Sequence, residues 1–423
     1  MKQLDQPNAK HPDITSHRAI LVALALSALL PSMAISSVNL TLPILAAQLA
    51  VSFSQVQWLT IAYMLSLTST LIIAGKLIDI KGQKLVFVTG LLIFSGASIA
   101  LGLTKSIYLL TFSRAVQGVG GAMLVVVNMV IASKVFEKRN EGMVIGLIGS
   151  MSALGTGAGP VLASFLIECC QWQSVFLINI PIAAVILLCA FHSLPANKIE
   201  LRQAKQPLFH TSTLNKPALK VSLIANFLIS NVVMISLIIG PFYLTLALQL
   251  SIVEVGFVMV ASPVTVAVFA FLSGKLSSIA NLDKLVLIGV TVISLGAVWM
   301  TQISVEDGVT GYIIGLVIIG SGYATFTSAN NTQVMLNVDA DNQGLLSSTL
   351  SLSKNLGLMV GATLSSSLFS CITGLSQQMG ASPKQLVNGV NLIYYGALFV
   401  LLGLLSLQFI HKFTSKKKHI ETL

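Results

Sequence analysis

The chain has 423 residues, of which 55% are apolar and only 9% charged, with a net charge of +10 and a mean hydropathy of +0.88. A water-soluble domain covers its surface with about 25% charged residues, so this composition excludes one. The basic excess would suit nucleic acid if it formed one patch, but it is dispersed between apolar stretches and reads as a membrane topology signal.

Twelve stretches are apolar over the ~20 residues that a helix needs to cross a hydrocarbon core about 30 Å thick. In chain order they are predicted at 19–43, 55–77, 84–104, 107–133, 142–167, 173–194, 219–247, 254–277, 283–303, 309–335, 343–373 and 388–411. The first 18 residues are polar and contain no apolar signal-peptide core, so the first span is expected to stay in the membrane as an anchor. After the second span comes a glycine-punctuated charged turn, Gly75-Lys-Leu-Ile-Asp79-Ile-Lys81-Gly82-Gln-Lys84. A worn copy, Gly274-Lys-Leu-Ser-Ser-Ile-Ala-Asn-Leu-Asp283-Lys284, follows the eighth span and lacks an acid at Ser278. The polar, proline-bearing interval 195–218 divides six spans from six. The expected architecture is therefore an all-α membrane protein with twelve transmembrane helices in two pseudo-symmetric six-helix bundles, 1–194 and 219–423, joined by a linker at 195–218. Related halves of this kind are how many secondary transporters achieve alternating access.

Of the 24 basic residues, only Lys105 and Lys384 fall in loops on the side opposite the termini, and only Arg114 and Lys354 fall within spans. The positive-inside rule then places both termini and the 195–218 linker in the cytoplasm.

The two intramembrane cations are the sharpest chemical clue. A charge at a span centre costs at least ~2.5 kcal/mol unless it meets water or a partner. Gln117, one turn beyond Arg114, can share its hydrogen bonds. All fourteen acids map to termini, loops or span ends, and no histidine maps to a span centre. A pathway with two cations and no carboxylate suits an anionic or zwitterionic small molecule. The bland alternative is that backbone carbonyls or the span-end Glu168 neutralise both. Asn39, Tyr63, Asn128, Asn226, Asn231, Tyr243, Asn330, Asn331, Gln333 and Asn355 also fall in spans, where substrate contact and interhelical bonding are equally open. Cys169, Cys170, Cys189 and Cys371 have no metal-ligand spacing, and a disulfide among those near span ends is chemically open. No phosphate-binding Gly-x-x-x-x-Gly-Lys-[Ser/Thr] loop and no nucleophile or acid–base constellation occurs. The sequence therefore points away from an enzyme and calls for no cofactor or metal.

These segments resemble the major facilitator superfamily, and most of all its drug:proton antiporter branch, whose members usually have fourteen spans. The likeness rests on Gly75…Asp79…Gly82…Lys84, on Arg114-Ala-Val-Gln117-Gly118-Val-Gly120-Gly121, on Gly155-Thr-Gly157-Ala-Gly159-Pro160 and on Trp172-Gln-Ser-Val-Phe176-Leu-Ile-Asn179-Ile-Pro181. Asn330-Asn331-Thr-Gln333 and Lys354-Asn355-Leu-Gly357 extend it into the second half. The resemblance implies a secondary transporter exporting a small organic molecule by alternating access, coupled to protons, in a bacterial inner membrane. Drugs, anionic metabolites and siderophores are all open as substrates. It further implies gating roles for Gly75, Asp79, Gly82, Lys84, Gly155, Gly159 and Pro160. Arg114, Gln117, Lys354, Asn355, Asn39 and Asn331 are the candidate binding or coupling residues. The chain departs from the branch in having twelve spans, Ala34 where an acid is common, Gln173-Ser174 after Trp172, and Lys354 where arginine is common. A transport-inactive membrane receptor is the alternative of another class. An uptake carrier is the third reading, disfavoured by the Gly155–Pro160 segment.

Overall fold

A computed structural model describes residues 14–135, 138–193, 217–277, 280–336, 343–374 and 382–421. No strand occurs among the described residues. In hydrocarbon the backbone has no water to bond, so every span must satisfy its own N–H and C=O groups, which a helix does. The helices are α1 (Ile14–Gln48), α2 (Phe53–Lys81), α3 (Gln83–Leu103), α4 (Ile107–Val135), α5 (Lys138–Cys170), α6 (Ser174–Leu177) and α7 (Asn179–Ser193). After the linker come α8 (Pro217–Phe242) with a π-helical turn at Tyr243–Ala247, α9 (Ile252–Ser277), α10 (Leu282–Thr301), α11 (Gly308–Leu336), α12 (Gln343–Thr373) and α13 (Pro383–Glu421).

Counting α6–α7 as one segment and α8 with its π turn as another, eleven segments of the described chain are long and apolar enough to cross a membrane. The twelfth is α2, whose 29 residues exceed the ~20 required. Each predicted stretch coincides with one of these twelve. The sixth differs in being broken at Ile178 rather than continuous. The cause is local: Pro181 has no N–H to donate to the Leu177 carbonyl, so the helix restarts at Asn179. The predicted linker 195–218 lies almost wholly outside the described residues, which resume at Pro217.

The two halves repeat each other in packing. In the first, α1 lies against α5, α2 against α4, and α3 against α4 and α7. In the second, α8 lies against α12, α9 against α11, and α10 against α11 and α13. The repeat is also exact in register at the start of spans two and eight. Ser52 caps α2 in a reciprocal capping box with Gln55, and Ser251 caps α9 in the same way with Glu254. Two residues earlier, Ala50 (φ 51°) and Gln249 (φ 53°) both turn the chain through the left-handed region. These pairs are separated by 249 − 50 = 199 residues, the same offset as Gly75 and Gly274. Between Pro43 and Pro241 the offset is 241 − 43 = 198. The π turn at Tyr243–Ala247 takes up the extra residue, as such turns do.

With twelve antiparallel spans, the start of α1 and the end of α13 lie at one end of the bundle, the termini side; the other end is the far side. Gly82 makes the two-helix corner between α2 and α3 at φ 84° and ψ 158°, a backbone conformation essentially restricted to glycine. Gly82→Ala is therefore expected to lower stability by about 1–3 kcal/mol. Gly96→Ala, in the middle of α3 with no atom within 4 Å of the added methyl, should not. Thermal unfolding of the two purified variants side by side checks this, and equal midpoints would reject it.

Candidate functional site

The halves meet from the middle of the membrane to the far side. Phe53, at the start of α2, is buried between two rings of the other half: Phe242 at 4.2 Å, edge-on, and Phe369 at 6.0 Å. Phe165 of α5 and Phe257 of α9 form a second edge-to-face pair at 6.0 Å. Between these rings the helices approach closely through glycine. A methyl on Gly157 would sit 3.2 Å from Pro263 Cβ, and one on Gly256 would sit 3.0 Å from the Pro160 carbonyl oxygen and 2.5 Å from Ser164 Oγ.

Toward the termini side, α5 and α9 part. Residues 267–272 of α9 are all exposed. Six successive residues pass more than once around a helix, so the side of α9 turned to α5 is exposed at that level, while Ser273, next along, is buried and donates to Thr325 of α11 at 3.1 Å. A methyl on Gly75, Gly149 or Gly274 would likewise meet nothing within 4 Å. The molecule is thus sealed on the far side and cleft on the termini side.

Lys354 lies in that cleft. One side of α12 packs on α8: Ser353 donates to the Leu223 carbonyl at 2.7 Å, Gly361 rests on the Asn231 backbone, and Asn226 Nδ2 donates to the Leu350 carbonyl at 2.9 Å. The side that carries Phe369 faces α2 of the other half. At 100° per residue Lys354 falls between these two sides, directed at the gap between the bundles. Ser365 and Phe369, farther along on that part of the surface, are buried, whereas Lys354 is exposed. Among the described residues no carboxylate lies within ion-pair distance of its ammonium group.

Arg114 is placed differently. It is fully buried inside the first bundle, so the two cations predicted to line one pathway do not share an opening. Arg114 Nε donates to the Leu59 carbonyl at 3.1 Å, Nη1 donates to Gln117 Oε1, and the guanidinium carbon sits 4.2 Å from the centroid of the Tyr63 ring. Gln117 Nε2 in turn donates to Ser98 Oγ at 2.8 Å, and the Tyr63 hydroxyl donates to the Pro31 carbonyl at 3.3 Å. A planar, weakly hydrated cation on an aromatic face, with a short-range acceptor on either side, is how such a charge is held away from water. Arg114 Nη2 keeps no hydrogen-bond partner.

The remaining predicted residues divide by neighbourhood. Asn39 is buried, with Oδ1 accepting from Thr60 Oγ1 at 3.0 Å and Nδ2 unpartnered. Asn331 is exposed and Asn355 half-buried. Gly155 rests on the Leu29 carbonyl and Gly159 on Ser36 Oγ, so both bring α5 close to α1 of their own bundle, while Gly157 and Pro160 face α9 across the seam. Lys84 Nζ lies 3.4 Å from the Phe191 carbonyl and over the Phe191 ring, which ties α3 to the end of α7. Asp79 is on the last turn of α2, and its side chain lies outside the described residues. On the same face of the second half, Asp283 accepts from Gln333 Nε2 and so joins α10 to α11. The four cysteines are free thiols, and no group of His, Cys, Asp and Glu among the described residues can hold a metal ion. The residues that sequence reading missed are Phe53, Phe242, Phe369 and Ser98. The rings look like ordinary apolar span residues, and Ser98 is one serine among many.

Comparison with known proteins gives concordant results. The sequence model of the Major Facilitator Superfamily matches residues 24–362. The chain is 25% identical to the riboflavin transporter RibZ of Clostridioides difficile (strain 630), over 94% of this chain and 98% of that protein. It is 32% identical to the multidrug transporter protein MdtP of Bacillus subtilis (strain 168), over 32% of this chain and 25% of that one. Among solved structures, the nucleoside transporter NupG superposes with a TM-score of 0.73 at 13% identity, covering 94% of this chain and 99% of NupG. A bacterial homologue of the human lysosomal transporter Spinster, inward-facing and unoccupied, superposes with a TM-score of 0.75 at 14% identity, over 94% and 97% of the two chains.

Proposed function

The chain belongs to the major facilitator superfamily, and from that premise we propose that it exports a small organic molecule from the cytoplasm of a bacterium by alternating access, driven by the proton gradient. It is a multi-pass membrane transporter and not an enzyme. The distribution of basic residues supports placing the termini side in the cytoplasm of the inner membrane, so that the far-side seal and the termini-side cleft make this an inward-open state. The observation that carries the reading is the one-sided contact between the bundles. A permeation path closed at one end by Phe53, Phe242 and Phe369 and open at the other is half of an alternating-access cycle. Export and proton coupling rest on the resemblance of the Gly155–Pro160 segment to that of drug:proton antiporters; in the structure Gly155 and Gly159 bring α5 against α1, and Gly157 and Pro160 lie on the seam with α9. Similarity to a riboflavin transporter and to multidrug transporters sets the compounds to try first.

The test is reconstitution of the purified protein into liposomes loaded in turn with riboflavin, a cationic dye and aromatic carboxylates, under an imposed pH gradient. Gradient-driven movement of at least one compound, lost when a protonophore collapses the gradient, is expected. Movement of none would favour the transport-inactive receptor, and movement indifferent to the gradient would reject proton coupling.

A further inference from the structure

We propose that Lys354 is the binding point for an anionic group of the transported molecule, and that this anion travels with the ammonium group when the cleft closes. The inference rests on the transporter reading above and adds the substrate class to it. Lys354 is 11 residues, roughly 17 Å, from the start of α12 at Gln343, and five residues into the apolar membrane-crossing stretch that begins at Thr349. By its place on the helix it lies toward the gap between the bundles, beside the face of α12 that reaches α2, and it is exposed. Closure of the termini side would remove that water. The charge must then be matched by another, or be lost as a proton. Among the described residues no carboxylate stands within ion-pair distance of it, and the sequence places no acid at any span centre. Arg114 offers no help, being itself cationic and enclosed in the first bundle. In this proposal the compensating charge comes from the cargo, and the ammonium group keeps its proton. A carboxylate on the substrate would accept hydrogen bonds from the ammonium group in the open cleft and neutralise it in the closed one. Empty or neutral-loaded carriers would close less readily, which ties conformational change to the presence of anion.

The experiment compares metabolites released into the medium by cells lacking the protein and by cells producing the wild type, Lys354→Arg or Lys354→Gln, with membrane levels of each variant matched by immunodetection. The expected result is that compounds exported by the wild type are anionic at neutral pH. Lys354→Gln should lower their export by about tenfold or more, the loss of one charge-assisted hydrogen bond, while Lys354→Arg retains most of it. Exported compounds that are neutral or cationic, or a Lys354→Gln variant exporting as well as the wild type, would overturn the proposal while leaving the transporter reading intact. No compound exported by the wild type would instead sink the transporter reading, and this inference with it. If Lys354→Arg fails alongside Lys354→Gln at matched levels, charge at this position is not what matters and the proposal is likewise overturned.

Discussion

Arg114→Ala is expected to destabilise the first bundle by about 2–4 kcal/mol, and Arg114→Lys to recover less than half of that loss. The guanidinium makes two hydrogen bonds and covers the Tyr63 ring from a site with no solvent exposure. Alanine leaves a cavity against that ring, an unpartnered Gln117 oxygen, and no donor at the head of the chain that runs through Gln117 to Ser98. Lysine keeps the charge but has no planar fork to reach the Leu59 carbonyl and Gln117 together while lying flat on Tyr63. Tryptophan-monitored thermal unfolding of the purified variants in lipid nanodiscs measures the effect. Wild-type midpoints for Arg114→Ala would show that the cluster contributes nothing to the bundle.

Phe53→Ala is expected to act on the balance between states rather than on the bundles themselves. Truncating a buried phenylalanine costs about 3–5 kcal/mol where its neighbours cannot close in. Both rings that enclose Phe53 belong to the other half, so most of that loss falls on the far-sealed state. A difference near 2.7 kcal/mol shifts a two-state population by about a hundredfold. Gln57 lies one turn further along the same face of α2 and is 4% exposed beneath the seal. In a background with Cys169, Cys170, Cys189 and Cys371 replaced by alanine, Gln57→Cys should react slowly with a membrane-impermeant maleimide added from the far side. Phe53→Ala should raise that rate strongly. An unchanged rate would mean that the aromatic clasp is not the far-side closure.

Much of this architecture could be read before any coordinates, because the bilayer leaves so few choices. Twelve apolar runs can only be helices there, and the Gly75 and Gly274 turns give the repeat. The same 199-residue offset runs on through Ala50 and Gln249, Ser52 and Ser251, and Gln55 and Glu254, a signal present in the sequence and passed over because capping serines are short and common. The break at Ile178 was also written in Pro181. What could not be read was depth and partnership. Arg114 and Lys354 look alike as lone cations in apolar runs, yet one closes on an aromatic ring inside its own bundle and the other opens on the gap between bundles. That difference depends on how α12 is rotated against α8 and α2, which no local pattern specifies. The seal at Phe53 depends on three residues far apart in the chain meeting at one point. A phenylalanine facing lipid and one facing another bundle have the same sequence signature.

Alternating access itself is tested most directly by measuring separations at both ends of the same molecule. Spin labels at Gly75→Cys and Gly274→Cys, matched positions on the termini side where an added side chain meets nothing within 4 Å, report one end. Labels at Ser54→Cys and Gln249→Cys, exposed residues at the starts of spans two and eight, report the other. Two separations are expected at each end, with the termini-side pair long when the far-side pair is short, and with populations that shift together when the pH gradient or an exported compound is supplied. A single fixed separation at both ends under every condition would contradict it.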